Sequence, residues 1–274
     1  MYKVGLSSCG FPLTEENFKG LEQAQISAVE ICMPADKYSF INYRELSQLS
    51  LRYGIKLWSY HLPFMPFDTV DISSMSSEIR NNTVKLYTDM IQKAADIGID
   101  KFIVHPSGEP ISDSERHERL KYSMQTLDRL AEIAYENGAV IAVEDLPRSC
   151  LGNTADEILK LISANDKLRV CFDSNHLLKD TNLNFIKKLS DKIVTVHISD
   201  YDFVDEKHWL PGEGLVNWAE LLGSLRQINY RGVWLYEISL SSSKQLARSR
   251  SLTFDDFKNN AVAIFEGKAP ERIL

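Results

Sequence analysis

Cysteine is scarce in this sequence. Four residues in 274, at positions 9, 32, 150 and 171, form no C-x-x-C pair. That excludes the common zinc-ribbon and dithiol patterns and offers no disulfide framework. Cys9, Cys32 and Cys171 sit in strand-like stretches, where a reduced thiol behaves as a small apolar group. A reducing compartment is expected. Long apolar runs are absent too: none approaches the roughly 18 residues of a membrane-spanning helix. The start, Met1-Tyr2-Lys3-Val4-Gly5-Leu6, reads as a first strand and not as a secretion signal. The expectation is a soluble, cytoplasmic protein. There is no glycine-rich phosphate loop after that strand, only Ser7-Ser8-Cys9-Gly10-Phe11-Pro12. Positive charge is in deficit, with 31 Lys and Arg against 38 Asp and Glu, a net charge of -7. A non-specific nucleic-acid binder usually carries a basic surface, so this balance argues against one.

What is present is ordinary globular composition, 44% hydrophobic and 25% charged. No linker or low-complexity segment divides the chain, so residues 1–274 are read as one domain. Short Val- and Ile-rich strands alternate with amphipathic helices. Strands are expected at about 3–9, 28–33, 55–60, 101–104, 140–143, 170–173, 193–196 and 233–236. Helices are expected at about 14–25, 43–53, 76–97, 114–136, 153–163, 183–189, 218–227 and 254–265. Thr14 and Thr154 read as N-caps, and Gly54, Gly98 and Gly138 as stops. Eight strand-then-helix units predict a parallel sheet covered by helices. In a chain near the roughly 250 residues typical of it, this rhythm fits a (β/α)8 TIM barrel.

The strand ends carry the chemistry. Val170-Cys171-Phe172 runs into Asp173, with His176 three residues on; other strands run into His105, Glu144, His197 and Glu237. His61 follows the third strand and His208 lies in the loop after the seventh. Of six histidines only His117 lies elsewhere, on a charged helix face. In a barrel these ends meet at one rim, where active sites form. One strand-end histidine is ordinary packing; five with three carboxylates are not. Buried carboxylates need partners, and no Lys or Arg stands at these ends, which points to a divalent cation. Glu144, Asp173, His197 and Glu237, from four successive strands, suit one ion of Mn, Zn, Co or Mg.

This pattern resembles the xylose isomerase-like TIM barrel superfamily, over essentially the whole chain. The residues that carry the resemblance are Val143-Glu144-Asp145, Asp173-Ser174-Asn175-His176, His197-Ile198-Ser199-Asp200, His208 ahead of Pro211-Gly212-Glu213-Gly214, and Glu237. The superfamily contains sugar isomerases and epimerases, inosose-type dehydratases and endonuclease IV. The resemblance implies that Glu144, Asp173, His197 and Glu237 hold the metal. It also implies that Glu144 and Glu237 exchange protons with a sugar or sugar phosphate, and that homodimers form. His61, His105, His176 and His208 are then expected to contact substrate, with Phe11, Phe64 and Trp209 as an apolar wall. The ketose 3-epimerase branch has an arginine shortly after its strand-seven histidine; Tyr201-Asp202-Phe203-Val204 replaces it here. Endonuclease IV is the rival resemblance. His61, His105, His176, His197 and His208 match its trinuclear zinc ligands, and Glu206 stands where it has an aspartate. Against that reading stand the acidic loops 68–71 and 200–206, read as rim charges. Arg148 and Lys179 are read as surface charges.

Overall fold

A computed structural model describes residues 1–241 and 246–273 of the chain. Its strands are β1 (Val4–Ser7), β2 (Ala28–Ile31), β3 (Lys56–His61), β4 (Lys101–Val104), β5 (Val140–Glu144), β6 (Arg169–Asp173), β7 (Ile193–His197) and β8 (Trp234–Tyr236). Its helices are α1 (Glu15–Gln23), α2 (Tyr43–Tyr53), α3 (Ser77–Ala95), α4 (Asp113–Glu136), α5 (Ala155–Ile162), α6 (Asn182–Leu189), α7 (Trp218–Gln227) and α8 (Phe254–Phe265). All strand pairs are parallel, in the order β7-β6-β5-β4-β3-β2-β1-β8. A bridge from Ile198, just past β7, to Tyr236 of β8 brings the two edges together at the C-terminal end. The result is a nearly closed barrel ringed by helices.

Local chemistry sets these boundaries. The side chains of Thr14, Asn42, Ser76, Thr154, Thr181 and Asn217 each accept a hydrogen bond from a backbone N–H in the first turn of the helix that follows. Gly54 ends α2 in the left-handed region (φ +63°), where a side chain would be strained. The apolar faces of the helices pack on the outer faces of the strands, burying Phe18, Phe102, Phe172, Phe185 and Phe257 completely. At about 25 cal/mol per Å² of apolar area removed from water, this layer is the main source of stability. Cys9 lies in a single 3-10 turn, Ser8–Gly10, rather than in the first strand.

The barrel interior is different. Two small apolar layers fill it: Ala28, Val233 and Leu235 with Trp58, and Ile103, Ala142 and Cys171 with Val194. Above them the interior turns polar. Two register irregularities shape this change. Val29 pairs with Leu57 but Glu30 pairs with Ser59, so β3 bulges at Trp58; Val170 pairs with Ile193 but Cys171 with Thr195, so β7 bulges at Val194. A bulge re-aims side chains and is common beside active sites. Here it lets both Trp58 and Ser59 engage the interior: Trp58 Nε1 donates to Thr195 Oγ1 (3.0 Å) and Ser59 Oγ to Glu30 Oε2 (2.7 Å).

Candidate active site and metal centre

Glu144, Asp173 and His197 are the last residues of β5, β6 and β7, and Glu237 follows β8 directly. The strands deliver them to one point. One donor atom from each lies within 4.8 Å of those of the other three. His197 Nδ1 is 2.7 Å from Glu144 Oε1, 3.5 Å from Glu237 Oε2 and 3.8 Å from Asp173 Oδ2. The first three residues are fully buried. Asp173 Oδ2 has no hydrogen-bond partner among the described residues. An unpartnered buried carboxylate oxygen is costly, and a cation facing it removes that cost. The donor set, three carboxylates and an imidazole, fits a divalent ion.

Hydrogen bonds fix how the histidines present their nitrogens. A carbonyl oxygen only accepts, so the ring nitrogen facing one must carry the proton. His61 Nδ1–H donates to the Leu62 carbonyl (2.9 Å), His176 Nδ1–H to the Asp145 carbonyl (2.8 Å) and His208 Nδ1–H to the Glu237 carbonyl (3.1 Å). In each the Nε2 is turned away from that carbonyl, His61 Nε2 towards Glu144 Oε2 (3.1 Å) and His176 Nε2 towards Glu206 Oε2 (3.3 Å). His197 is turned the other way: its Nε2 donates to Glu30 Oε2 (3.1 Å), which leaves Nδ1 for the carboxylate cluster. This carboxylate–histidine pairing orients a metal-binding imidazole and raises its basicity. Glu30 is completely buried on β2 and was not singled out from the sequence. The available signal was a carboxylate between Val29 and Ile31 in an otherwise apolar strand.

The other predicted residues also converge. His61 closes β3 and His105 follows β4; the Nε2 of each is 3.1 Å from Glu144 Oε2. His61 is almost fully buried, so it sits beneath the rim. His176 Nε2 is 3.3 Å from Glu206 Oε2, and His208 completes a second group with them. Glu144 thus turns one oxygen to His61 and His105 and the other to His197. His117 lies exposed on α4, away from the site.

The charges interlock. Burial raises the Glu144 pKa, but His197, His105 and His61 around it hold it well below the usual carboxylate range. Burial alone would keep His61 neutral, yet Glu144, with Glu30 and Glu237 behind it, outweighs burial and pushes the pKa up to about 9. Burial wins at Asp173, which rises to about 6, and lowers His105. Glu206 is brought down to about 2, against its burial, by His176, His208 and Arg148.

A cavity of about 150 Å³ opens above the cluster, lined by His61, His105, Glu144, His176, His208 and Glu237 together with Phe64 and Phe67. Phe64 stacks on His105 with ring centroids 4.2 Å apart. Phe11 and Trp209 do not line the cavity; Phe11 packs edge-on against Phe254. Arg148 is not a free surface charge. It lines the cavity and is held by Glu109, Asp205 and Glu206. Two acids read as rim charges have structural roles instead. Asp200 is buried and accepts hydrogen bonds from Gly212 N, Val216 N and Trp218 Nε1, fixing the loop before α7. Asp71 is buried and paired with Arg119 (2.8 Å).

Residues 18–253 match the family model described as xylose isomerase-like TIM barrel. The chain belongs to this family. A D-tagatose 3-epimerase-like protein of known structure is 27% identical, with a TM-score of 0.79, covering 96% of this chain and 94% of that one. The Methanocaldococcus jannaschii protein MJ1311, described as uncharacterized, is 30% identical over 84% of this chain and 82% of its own length. A probable endonuclease 4 of Finegoldia magna is 28% identical over 56% of this chain and 60% of its own.

Proposed function

We propose that the chain is a divalent-metal-dependent carbohydrate isomerase or epimerase working by proton transfer between Glu144, Glu237 and a sugar carbon. The observation that carries this reading is the convergence of Glu144, Asp173, His197 and Glu237 beneath a cavity of about 150 Å³, the size of a small molecule. The likeness to a 3-epimerase-like structure over nearly the full chain supports an enzyme of this class. A divalent ion held by these four residues would polarise a carbonyl and the adjacent hydroxyl and so acidify the neighbouring C–H. Glu144 and Glu237 then take and return the proton. Return to the opposite face of the same carbon epimerises it; return to the next carbon isomerises aldose and ketose. His176 and His208 stand at the cavity wall to bind hydroxyls, and Phe64 and Phe67 supply an apolar face that excludes water.

One observation favours a second reading, an endonuclease IV-like zinc enzyme. Among the described residues, His61–His105–Glu144 and His176–Glu206–His208 are further donor groups beside the first, and Glu144 is shared between the first and His61–His105–Glu144. Metal content separates the readings. Protein purified without chelator should hold about one divalent ion per chain and exchange a substrate C–H with deuterated water across a ketose panel. About three zinc ions per chain, with nicking of abasic-site DNA, would overturn the sugar-enzyme reading. An inosose-type dehydratase would share the single ion but release water from its substrate.

A further inference from the structure

We propose that the opposite, N-terminal face of the barrel carries a separate binding site for a small molecule bearing several phosphate groups. A cavity of about 500 Å³ opens there, larger than the one above the carboxylates. Its lining comes from residues that precede or begin strands and from the end of α7. Four cations line it: Lys3, Lys56, Arg226 and Arg231. No Asp or Glu does. Among the described residues none of the four has a carboxylate oxygen within 4.0 Å. The chain as a whole carries a net charge of -7, so this gathering runs against its composition. Like charges at one cavity repel unless an anion offsets them.

The floor of the cavity is built and rigid. Trp58 crosses the barrel interior, held by its hydrogen bond to Thr195. The Lys101 and Lys56 ammonium groups lie 4.0 and 4.9 Å from its ring centroid, within cation–π range. The Tyr230 hydroxyl donates to the Val233 carbonyl (2.9 Å). It lies so close over Gly232 that any side chain at that position would strike it. A fixed floor lowers the entropy cost of binding. Two guanidinium forks match phosphate geometry and two ammonium groups add compact charge. Each phosphate monoester brings about -1.5 to -2 near neutral pH, so two or three would balance four cations. The six residues of β3 separate Lys56 from His61, about 17 Å at the usual rise per residue. The site is therefore distinct from the carboxylate cluster.

The test is calorimetric titration of the intact, metal-loaded chain with inorganic tripolyphosphate at low and physiological salt. Three proteins are compared: wild type, Lys56→Glu/Arg231→Glu and Glu144→Gln. Binding of one tripolyphosphate per chain is expected in wild type and in Glu144→Gln, weakening with salt. At about tenfold per charge removed, the double variant should bind at least about a hundredfold more weakly. If the charge reversals impair folding, as judged by melting temperature, Lys56→Gln/Arg231→Gln takes their place with the same expectation. No binding at low salt overturns the proposal, as does equal binding by the charge variant. Loss confined to Glu144→Gln would place the anion at the metal centre, and tighter binding of a single-stranded oligonucleotide than of tripolyphosphate would make the ligand a nucleic acid; either overturns it.

Discussion

Glu30→Gln isolates one charge without disturbing shape. Both hydrogen bonds to Glu30, from Ser59 Oγ and from His197 Nε2, converge on Oε2, while Oε1 has no partner among the described residues. A glutamine can place its carbonyl oxygen where Oε2 stands and its amide where Oε1 stands, keeping both bonds. Only the negative charge behind His197 is lost. Outer partners of metal-binding histidines are typically worth 10–100-fold in metal affinity, or about 1.4–2.8 kcal/mol. Competition against a fluorescent chelator should therefore show cation binding weakened about 10–100-fold. The cation-free melting temperature should stay close to wild type, because no cavity forms and no hydrogen bond is lost. Unchanged cation affinity would refute the reasoning: His197 would then not be a ligand, or Glu30 would be a strut alone. A large fall in cation-free stability would show that its charge serves the fold instead.

Further tests address the reaction and the frame. Glu144→Gln and Glu237→Gln should each abolish substrate C–H exchange followed by proton NMR; full activity in either would sink the two-carboxylate mechanism. His117→Ala should leave turnover and melting temperature unchanged, since the side chain projects from an exposed position on α4. Arg248→Ala should destabilise by about 3–5 kcal/mol in urea titration, because Glu213 would be left buried without its bidentate partner at 2.7 and 2.9 Å. A loss under about 1 kcal/mol would mean that water or another donor replaces the guanidinium.

The barrel was legible because each of its units is marked locally. The runs Lys101–Val104, Tyr43–Tyr53, Trp218–Gln227 and Phe254–Phe265 stand where periodicity and capping residues put them. The cluster of three carboxylates and one imidazole, Glu144, Asp173, Glu237 and His197, was legible because each ends an apolar run, where a charged side chain has no packing role. The bulges at Trp58 and Val194 leave no local mark, since a bulge is a relation between two strands. Glu30 was missed for a related reason: its partners Ser59 and His197 are remote in sequence and only the barrel brings them together. Asp200 and Asp71 were misread as rim charges because a carboxylate that caps backbone N–H groups or meets a distant arginine looks the same in sequence as one facing water. Arg148 erred the other way. Its three carboxylate partners come from two distant loops, so nothing nearby marks it as held.

The distribution of charge across the barrel bears on the substrate. At the cavity mouth Arg148 meets Glu109, Asp205 and Glu206, while His176 lies 3.3 Å from Glu206 and Lys207 3.8 Å from Asp202 in the same loop. The guanidinium is saturated by these partners and is not free to cradle a phosphate. A phosphodiester backbone or a sugar phosphate approaching this mouth would have to displace one carboxylate from Arg148 and meet the others at close range. At the effective dielectric near a protein surface, one like-charge contact at 4 Å costs about 4 kcal/mol, some three powers of ten in binding. A neutral polyol pays none of this, and the carboxylates accept its hydroxyl protons. For the proposed isomerase or epimerase, this arrangement favours an uncharged sugar over a sugar phosphate as substrate. Lys3, Lys56, Arg226 and Arg231, without a carboxylate partner among the described residues, stand at the other end of the barrel, away from the carboxylate cluster.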